Sequence, residues 1–555
     1  MRVVTKLLPL LACALSPPAT AYDIGCIYPA QMPTPLQAYY NISALLSANA
    51  IVLGIETPIV VHGATAVSLC GTLCQSYHDA AALDPLTESA PSFRVPPFGH
   101  NAFSRVMCTA QCVAARSVQT LGILFDVWSL AVTGIEPDVA RAFSLATEDG
   151  GAALNALLEE RDFNPLVVGQ VAALRVAVEF GGDGWNGDGA LVYSEEQDEA
   201  VPCTANCRPY ADTIGYKPAP QPQVEYGNAS SSVAESCASQ CSECPGLCRR
   251  WQPLVESDQR GNAVRQVQVT PHIGIKAKLY GQKEPPPPLA DPGYDYLEEA
   301  RLVLERMSAS ASNVTRLTAI RFFDQKLYIR GLVELAALEQ FPDQSYEEQV
   351  MFIFGIGVAE QDATILAWRE KLAADRIRPT TYIKRWGETI VRTAQPGSAD
   401  VVEIRAADFE ALARVMPHSE FPSGSACICT AYADFTDLFT LDRFGSRLRD
   451  LTLGPDEGAG GVGLFCNSTF VPPEQQIGCI PEERLRFATM SDLARECGQS
   501  RLWAGLHFTA SVSAAETQCS GLGRLASDLT KKVRNGTTWG ATWAEGQPRP
   551  ICGAL

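Results

Sequence analysis

Apolar residues change their spacing along the chain, and the change divides it. Beyond a proline run at 283–293, the segments EEARLVLERMSA, LTAIRFFDQKLYIRGLVELAALEQ and EEQVMFIFGIGVAEQDATILAWREKLAADRI carry strong helix formers and sustained apolar stripes, so long helices are predicted. VMFIFGIGVA is apolar on every side, as a helix at the centre of a bundle must be. SACICTAYADFTDLF, ECGQSRLWAGLHF and GLGRLASDLTKKV complete the predicted bundle. Upstream, VARAFSLATEDGGAALNALLEE and VVGQVAALRVAVEF also show helical patterning, whereas 198–260 combines cysteines with KPAPQPQ and predicts a loop-rich insertion. The run KEPPPPLADPG is a stiff connector and the best internal boundary. The expected fold class is all-α: a large helical bundle over 291–555, a helical and loop-rich region over 131–290, and a cysteine-stapled helical region over 22–130.

Composition narrows the function. The 555 residues, 46% of them hydrophobic, suffice for one large core or two domains. A formal charge of −18 argues against nucleic acid or an anionic membrane as partner, so any anion site has to be local and built from a few chosen cations. Arg2 and Lys6 precede LLPLLACAL, and Ala19-Thr20-Ala21 supplies small residues before Tyr22, so residues 1–21 read as a signal peptide and the protein as secreted. Later apolar runs are broken by Glu56, Asp126 or Glu360 before the roughly 18 residues a membrane span needs. Sequons at Asn41, Asn228, Asn313, Asn467 and Asn535 suit that route.

Of 19 cysteines, Cys13 lies in the leader and an even 18 remain for disulfides. Cys70/Cys74 and Cys108/Cys112 form two C-x3-C units that suit a stapled helical hairpin. The cluster Cys203, Cys207, Cys237, Cys241, Cys244 and Cys248 contains a C-x-x-C that zinc could use, though secretion favours disulfides. GGDGWNGDG, with Asp183, Asn186 and Asp188, lacks the spacing and closing Glu of an EF-hand and reads as a polar turn. GPDEGAGGVG at 454–463 has no strand before it and reads as a loop rather than a nucleotide fingerprint.

The chemistry-bearing residues fall in three segments. In WREKLAADRIRP, Lys371 and Arg378 stand seven apart, two turns, and on one helix they share a face. Pro422-Ser423-Gly424 precedes a predicted helix with Ser423 near its N-cap, where free N–H groups and the dipole favour an anion and Gly424 blocks nothing. Arg501 adds a guanidinium fork for a tetrahedral oxyanion. Only six histidines occur and none forms H-E-x-x-H or H-x-H, which argues against a multi-histidine metal site. His507, six after Arg501, reaches a shared ligand from another direction or across a helix end. Singly, each of these side chains is an ordinary helix charge or structural histidine.

Taken together, Lys371-x6-Arg378-Pro379, Pro422-Ser423-Gly424 and Ser500-Arg501-x5-His507 resemble the three-part signature of vanadium-dependent haloperoxidases and type-2 phosphatidic-acid phosphatases. ADTIGYKPAP, RRWQPL, TPHIG, AEQDATILAWREK and SRLWAGLHF lean the resemblance toward the haloperoxidases, over roughly 120–545. It implies a helical fold with vanadate at the bundle core, coordinated by His507 and neutralised by Lys371, Arg378, Arg501, the Ser423 hydroxyl and the Gly424 N–H. It further implies that hydrogen peroxide is activated there, with Lys371 polarising it toward attack by halide, and that a hypohalous-acid equivalent then halogenates a small organic acceptor.

The sequence departs from that pattern at Ser425, where the family's acid–base histidine usually stands. A serine hydroxyl relays a proton but cannot store one near neutral pH. His418, five before Ser423, is a candidate replacement. The loss counts more against an acid phosphatase with His507 as nucleophile, which needs an acid for its leaving group, than against a haloperoxidase. A glycoprotein that keeps the pocket without catalysis is the third reading. Trp368, three before Lys371, stands where the family's halide-side tryptophan lies; the halide, the acceptor and the oligomeric state, a homodimer being one option, stay open.

Overall fold

The computed structural model describes residues 293–324, 326–396, 400–453 and 485–535. It also describes 183–186, 189–205, 211–217, 249–257, 263–265, 279–281, residue 289 and scattered helical positions within 61–74 and at 172 and 176. The leader, Cys108/Cys112, most of the cysteine cluster and of the proline run, and the 454–463 glycine loop lie outside these residues.

The bundle is built from α1 (Tyr296–Ser308), α2 (Val314–Phe322), α3 (Lys326–Gln340), α4 (Tyr346–Ala374), α5 (Pro379–Lys384), α6 (Gly424–Phe444), α7 (Met490–Trp503), α8 (Thr509–Cys519) and α9 (Leu522–Arg534). At its edges, among the described residues, four antiparallel hairpins pair β1 (Leu191–Ser194) with β2 (Glu199–Pro202), β3 (Val255–Ser257) with β4 (Ala263–Arg265), β5 (Ile390–Ala394) with β6 (Val401–Arg405), and β7 (Arg449–Leu453) with β8 (Leu485–Thr489). The all-α expectation therefore describes the bundle, with these short strands as additions.

The helix at the centre is α4. Ser345 and Glu348 form a capping box that satisfies its first free N–H groups. Its apolar residues point all round because neighbours cover every side: by composition it could cross a membrane, yet its most apolar window is wholly buried in the bundle. α6 runs antiparallel beside it, with Phe352 against Phe435 and Phe439 at one end and Lys371 against the Pro422 carbonyl at the other. Disulfides Cys427–Cys519 and Cys429–Cys497 fasten α6 to α8 and α7, so the helix that opens with Ser423-Gly424 is held to the two helices flanking His507. Cys70, Cys74 and Cys203 are also disulfide-bonded, Cys70 and Cys74 on helix as the C-x3-C spacing predicted. Asp183 accepts from the Trp185 N–H and the Tyr280 hydroxyl, and Asn186 bonds Leu191 and Ala211, which is the polar turn expected there.

Two helix expectations need correction. Lys371 and Arg378 do not share a helix: α4 stops at Asp375, which takes a left-handed φ of 44°, and Arg378 is the N-cap of α5. One distant and one local cause end the helix. Arg376 bridges to Arg250 and the Ile377 N–H bonds the Arg249 carbonyl, while Pro379 drives Arg378 into an extended conformation. The second correction concerns SRLWAGLHF, where α7 ends at Trp503 and Gly505 turns the chain with φ 75°. A Cβ at Gly505 would stand 2.4 Å from the Met307 sulfur, so both backbone and packing require glycine there.

A buried carboxyl ties the upstream segment to α4. Asp362 accepts from the Tyr280 N–H at 2.8 Å and the Gly281 N–H at 2.7 Å. Burial nevertheless pushes its pKa up to about 7, against the pull of those two bonds and of Arg369. The unfolded carboxyl ionises near its ordinary value while the folded one keeps its proton, so this group's contribution to stability is fully present below about pH 4 and is lost as pH rises toward 7. Asp362→Asn is therefore expected to gain stability relative to the native chain between pH 5 and pH 8. Parallel thermal midpoints for the two proteins across that range would refute this.

Candidate active site

Three apolar clusters meet around one group of charged side chains. Trp368 and Ala426 come from the main core, Ile377 and Phe508 from the cluster of α1, α5 and β5–β6, and Val415 and Leu506 from a smaller one. Lys371, Arg378, Ser423, Arg501 and His507 are all buried between them. In so dry a setting each charge acts at longer reach than it would in water.

Lys371, one turn from the end of α4, donates from Nζ to the carbonyls of Ser419 at 2.9 Å, Glu420 at 3.2 Å and Pro422. Its ammonium thus braces the loop that leads into α6. Arg378 is the hub: Nε donates to the His418 carbonyl at 2.9 Å and Nη1 to the Leu506 carbonyl at 3.0 Å. Nη1 also lies 3.2 Å from His507 Nε2, and Nη2 lies 3.0 Å from His418 Nδ1. Because a guanidinium only donates, His507 Nε2 presents its lone pair to it, whereas His418 Nδ1 lies between Arg378 and the Ser419 carbonyl, 3.1 Å away, which only accepts.

Ser423 caps α6 through the Ala426 N–H. Gly424 begins the helix, and a Cβ there would press to 3.2 Å from the Trp368 ring and 3.8 Å from Lys371 Cε. With no Cβ at Gly424, the N-terminus of α6 comes close to the lysine and the tryptophan, the approach an oxyanion site at a helix end needs. Ser425 follows on the buried first turn of α6. His418 is buried rather than on a surface loop, with its ring 5.0 Å from that of Trp368.

Arg501, like Lys371, is held by partners outside the predicted set. It donates to Asp324 at 2.9 Å, to the Ile320 carbonyl at 2.7 Å and to the Ser500 hydroxyl at 3.0 Å. None of those bonds goes to the other predicted site side chains, and its charge still helps depress His507.

His507 stands in the turn after α7. Its Nδ1 lies 2.9 Å from Glu420 Oε1 and 3.2 Å from Ser511 Oγ. Burial, then the charges of Arg378 and Lys371, push the imidazole well below its usual range, so it is neutral near pH 7. Glu420 is fully buried; burial pushes its carboxyl up, while the Phe508 N–H, Arg378, Lys371 and Ser511 pull it back. Sequence reasoning missed Glu420, Asp324, Tyr294 and Ser511. Glu420 alone left a legible signal, as an acid two residues before the proline of the Pro422-Ser423-Gly424 anion-binding motif.

The comparisons with known proteins bear on the fold that carries this site. Residues 351–536 match the family model described as the VCPO second helical-bundle domain. An apo-type bacterial vanadium-dependent chloroperoxidase superposes with TM-score 0.60 at 21% identity, covering 87% of this chain and 96% of that one. A holo-type bacterial vanadium-dependent chloroperoxidase gives TM-score 0.60 at 20% identity, over 87% and 94%. No curated protein matches the sequence. At these identities the structural likeness speaks for the fold, and the matched domain model speaks for the helical bundle over 351–536. The chain therefore has the vanadium haloperoxidase fold, and its residues 351–536 match the second helical-bundle domain of that family.

Proposed function

We propose that the chain is a secreted, vanadate-dependent haloperoxidase that uses hydrogen peroxide to oxidise halide to a hypohalous-acid equivalent, which halogenates small organic acceptors. The observation that carries this reading is the meeting of buried His507, whose Nε2 lies 3.2 Å from Arg378 Nη1, with buried Lys371 and the Gly424 end of α6. That donor set fits a tetrahedral oxide. The Nε2 lone pair suits a metal ligand, guanidinium and ammonium match anionic oxygens, and Gly424 leaves room for them.

Vanadate bound there supplies a Lewis acid that activates peroxide without a change in metal oxidation state. The protein's residues do the rest. His507 binds through Nε2. Arg378 and Arg501 offset negative charge on the oxide, Arg501 from its station on Asp324. Lys371, held by three carbonyls, keeps an ammonium beside the cradle, where it would stabilise negative charge on an oxygen ligand. Ser423 and the first N–H groups of α6 orient the remaining oxygens.

Proton handling falls to two groups. Ser425 relays. His418, with Nδ1 3.0 Å from Arg378 Nη2 and its ring 5.0 Å from that of Trp368, is the second imidazole in the wall and takes the place of the missing acid–base histidine. The disulfides within the bundle and the leader-like first 21 residues support secretion.

Monochlorodimedone bromination with and without orthovanadate tests the reading, alongside hydrolysis of a phosphomonoester in the absence of peroxide. Bromination that depends on added orthovanadate is expected. Phosphomonoester turnover without any halogenation would transfer the site to the phosphatases, with His507 as nucleophile. Silence in both assays would leave a binding pocket and no enzyme.

A further inference from the structure

A carboxylate is an odd component for a pocket that has to attract an anion. Glu420 is completely buried and sits among the site's cations, where its charge opposes the ligand's. Its hydrogen bonds show what it does instead. Oε1 accepts from the Phe508 N–H at 3.0 Å and lies 2.9 Å from His507 Nδ1, and Oε2 accepts from the Tyr294 hydroxyl at 3.2 Å. A carboxylate held by two other donors has only acceptor capacity left for the imidazole, so Nδ1 must carry the proton.

The opposite edge of the ring says the same thing independently. Arg378 Nη1 stands 3.2 Å from Nε2 and has only hydrogens to offer, so Nε2 must carry the lone pair. Ser511 fits this arrangement: its hydroxyl donates to the Glu420 main-chain carbonyl at 3.3 Å, which leaves an oxygen lone pair 3.2 Å from Nδ1. We infer that Glu420 is a positioning residue, which fixes His507 as the Nδ1–H tautomer and aims the Nε2 lone pair at the oxyanion cradle; the inference rests on the proposed function above.

Two features of the surroundings support that role. The carboxylate is locked from behind, because the Tyr294 ring packs 5.4 Å from Phe508, 5.2 Å from Tyr296 and 6.3 Å from Phe421, which keeps water from competing for Oε2. Glu420 also reaches Lys371 through its main-chain carbonyl at 3.2 Å. One residue thereby fixes the ligand histidine with its side chain and the activating lysine with its backbone. A carboxylate behind a ligand imidazole also makes the free nitrogen more basic, and loss of such a partner costs about 10–100-fold in affinity for the bound metal group.

The test compares the native chain with Glu420→Gln, Glu420→Ala and Tyr294→Phe. Orthovanadate and inorganic phosphate are titrated calorimetrically, and the tautomer of His507 is read from long-range proton–nitrogen correlations on histidine labelled with nitrogen-15. The native protein is expected to show Nδ1–H. Glu420→Ala is expected to lose about 10–100-fold in affinity for both oxyanions and to shift His507 toward Nε2–H. Glu420→Gln, whose amide oxygen still accepts Nδ1–H, keeps the native tautomer and loses less affinity, and Tyr294→Phe loses less again.

Unchanged tautomer and affinity in Glu420→Ala overturn the inference, as does an Nε2–H tautomer in the native protein. Should Glu420→Ala fail to fold, Glu420→Gln decides: native oxyanion affinity in that variant overturns it, and reduced affinity with the native tautomer supports it. If the native chain binds neither oxyanion, the haloperoxidase reading fails, and the tautomer readout still decides the role of Glu420.

Discussion

Replacing His507 by alanine is expected to abolish orthovanadate-dependent bromination and to weaken orthovanadate binding by more than about 100-fold, which is the upper cost of losing only a ligand's own hydrogen-bond partner. The argument begins with charge. Arg378, Lys371 and the α6 N-terminus attract any oxyanion, but their attraction is non-directional, and only the Nε2 lone pair of His507 offers a ligand bond. With the imidazole gone, weak anion binding should persist because the cations remain. The fold should survive as well, since Glu420 keeps the Phe508 N–H and the Tyr294 hydroxyl. A calorimetric titration combined with monochlorodimedone turnover checks both halves of the prediction. Native-like orthovanadate affinity in His507→Ala would remove the basis of the proposed function, whatever the activity.

The second large effect concerns stability. Arg330 on α3 is buried with Glu334 and with Glu360 of α4; its Nη1 lies 2.6 Å from Glu360 Oε2, and the Tyr432 hydroxyl of α6 donates to the other oxygen of that carboxylate. Two carboxylates therefore share one guanidinium in an apolar interior. Arg330→Ala strands both charges, a change that typically costs about 3–5 kcal/mol. Glu360→Gln should cost less, because the amide oxygen still accepts from Arg330 or Tyr432. Denaturant unfolding of the oxidised protein reads the difference, and an unchanged midpoint for Arg330→Ala would show that the network does not hold these helices together. The network also bears on the site. Glu360 precedes Lys371 by eleven residues, three helical turns, so the face of α4 anchored at Glu360 is the face that presents Lys371.

The helices were legible because their apolar spacing exceeds what chance produces, and the wholly apolar VMFIFGIGVA marked the central helix directly. Ser423 as a helix cap was legible too, since Pro-Ser-Gly ahead of an apolar run has few other conformations. The shared helix for Lys371 and Arg378 was misread because the interruption comes from residue 249–251 backbone arriving from more than a hundred positions away. No local pattern records that pairing. Arg501 was read as a direct binding residue, yet its strongest bonds go to Asp324 and Ile320, whose proximity depends on how α2 packs against α7.

By itself the sequence marked the candidate groups: a lysine, two arginines, a helix-capping serine, a bare glycine and one histidine, together with the helices that carry them. These follow from residue type and short-range spacing, which act through local backbone preference and hydrophobic periodicity. Tertiary structure alone decided how those groups are used. It selected Glu420 as the partner of His507, made Arg378 the hub between two imidazoles, and brought His418 inward. Each of these is set by hydrogen bonds between segments far apart in the chain, and their energies depend on burial and distance, which exist only once the bundle has closed.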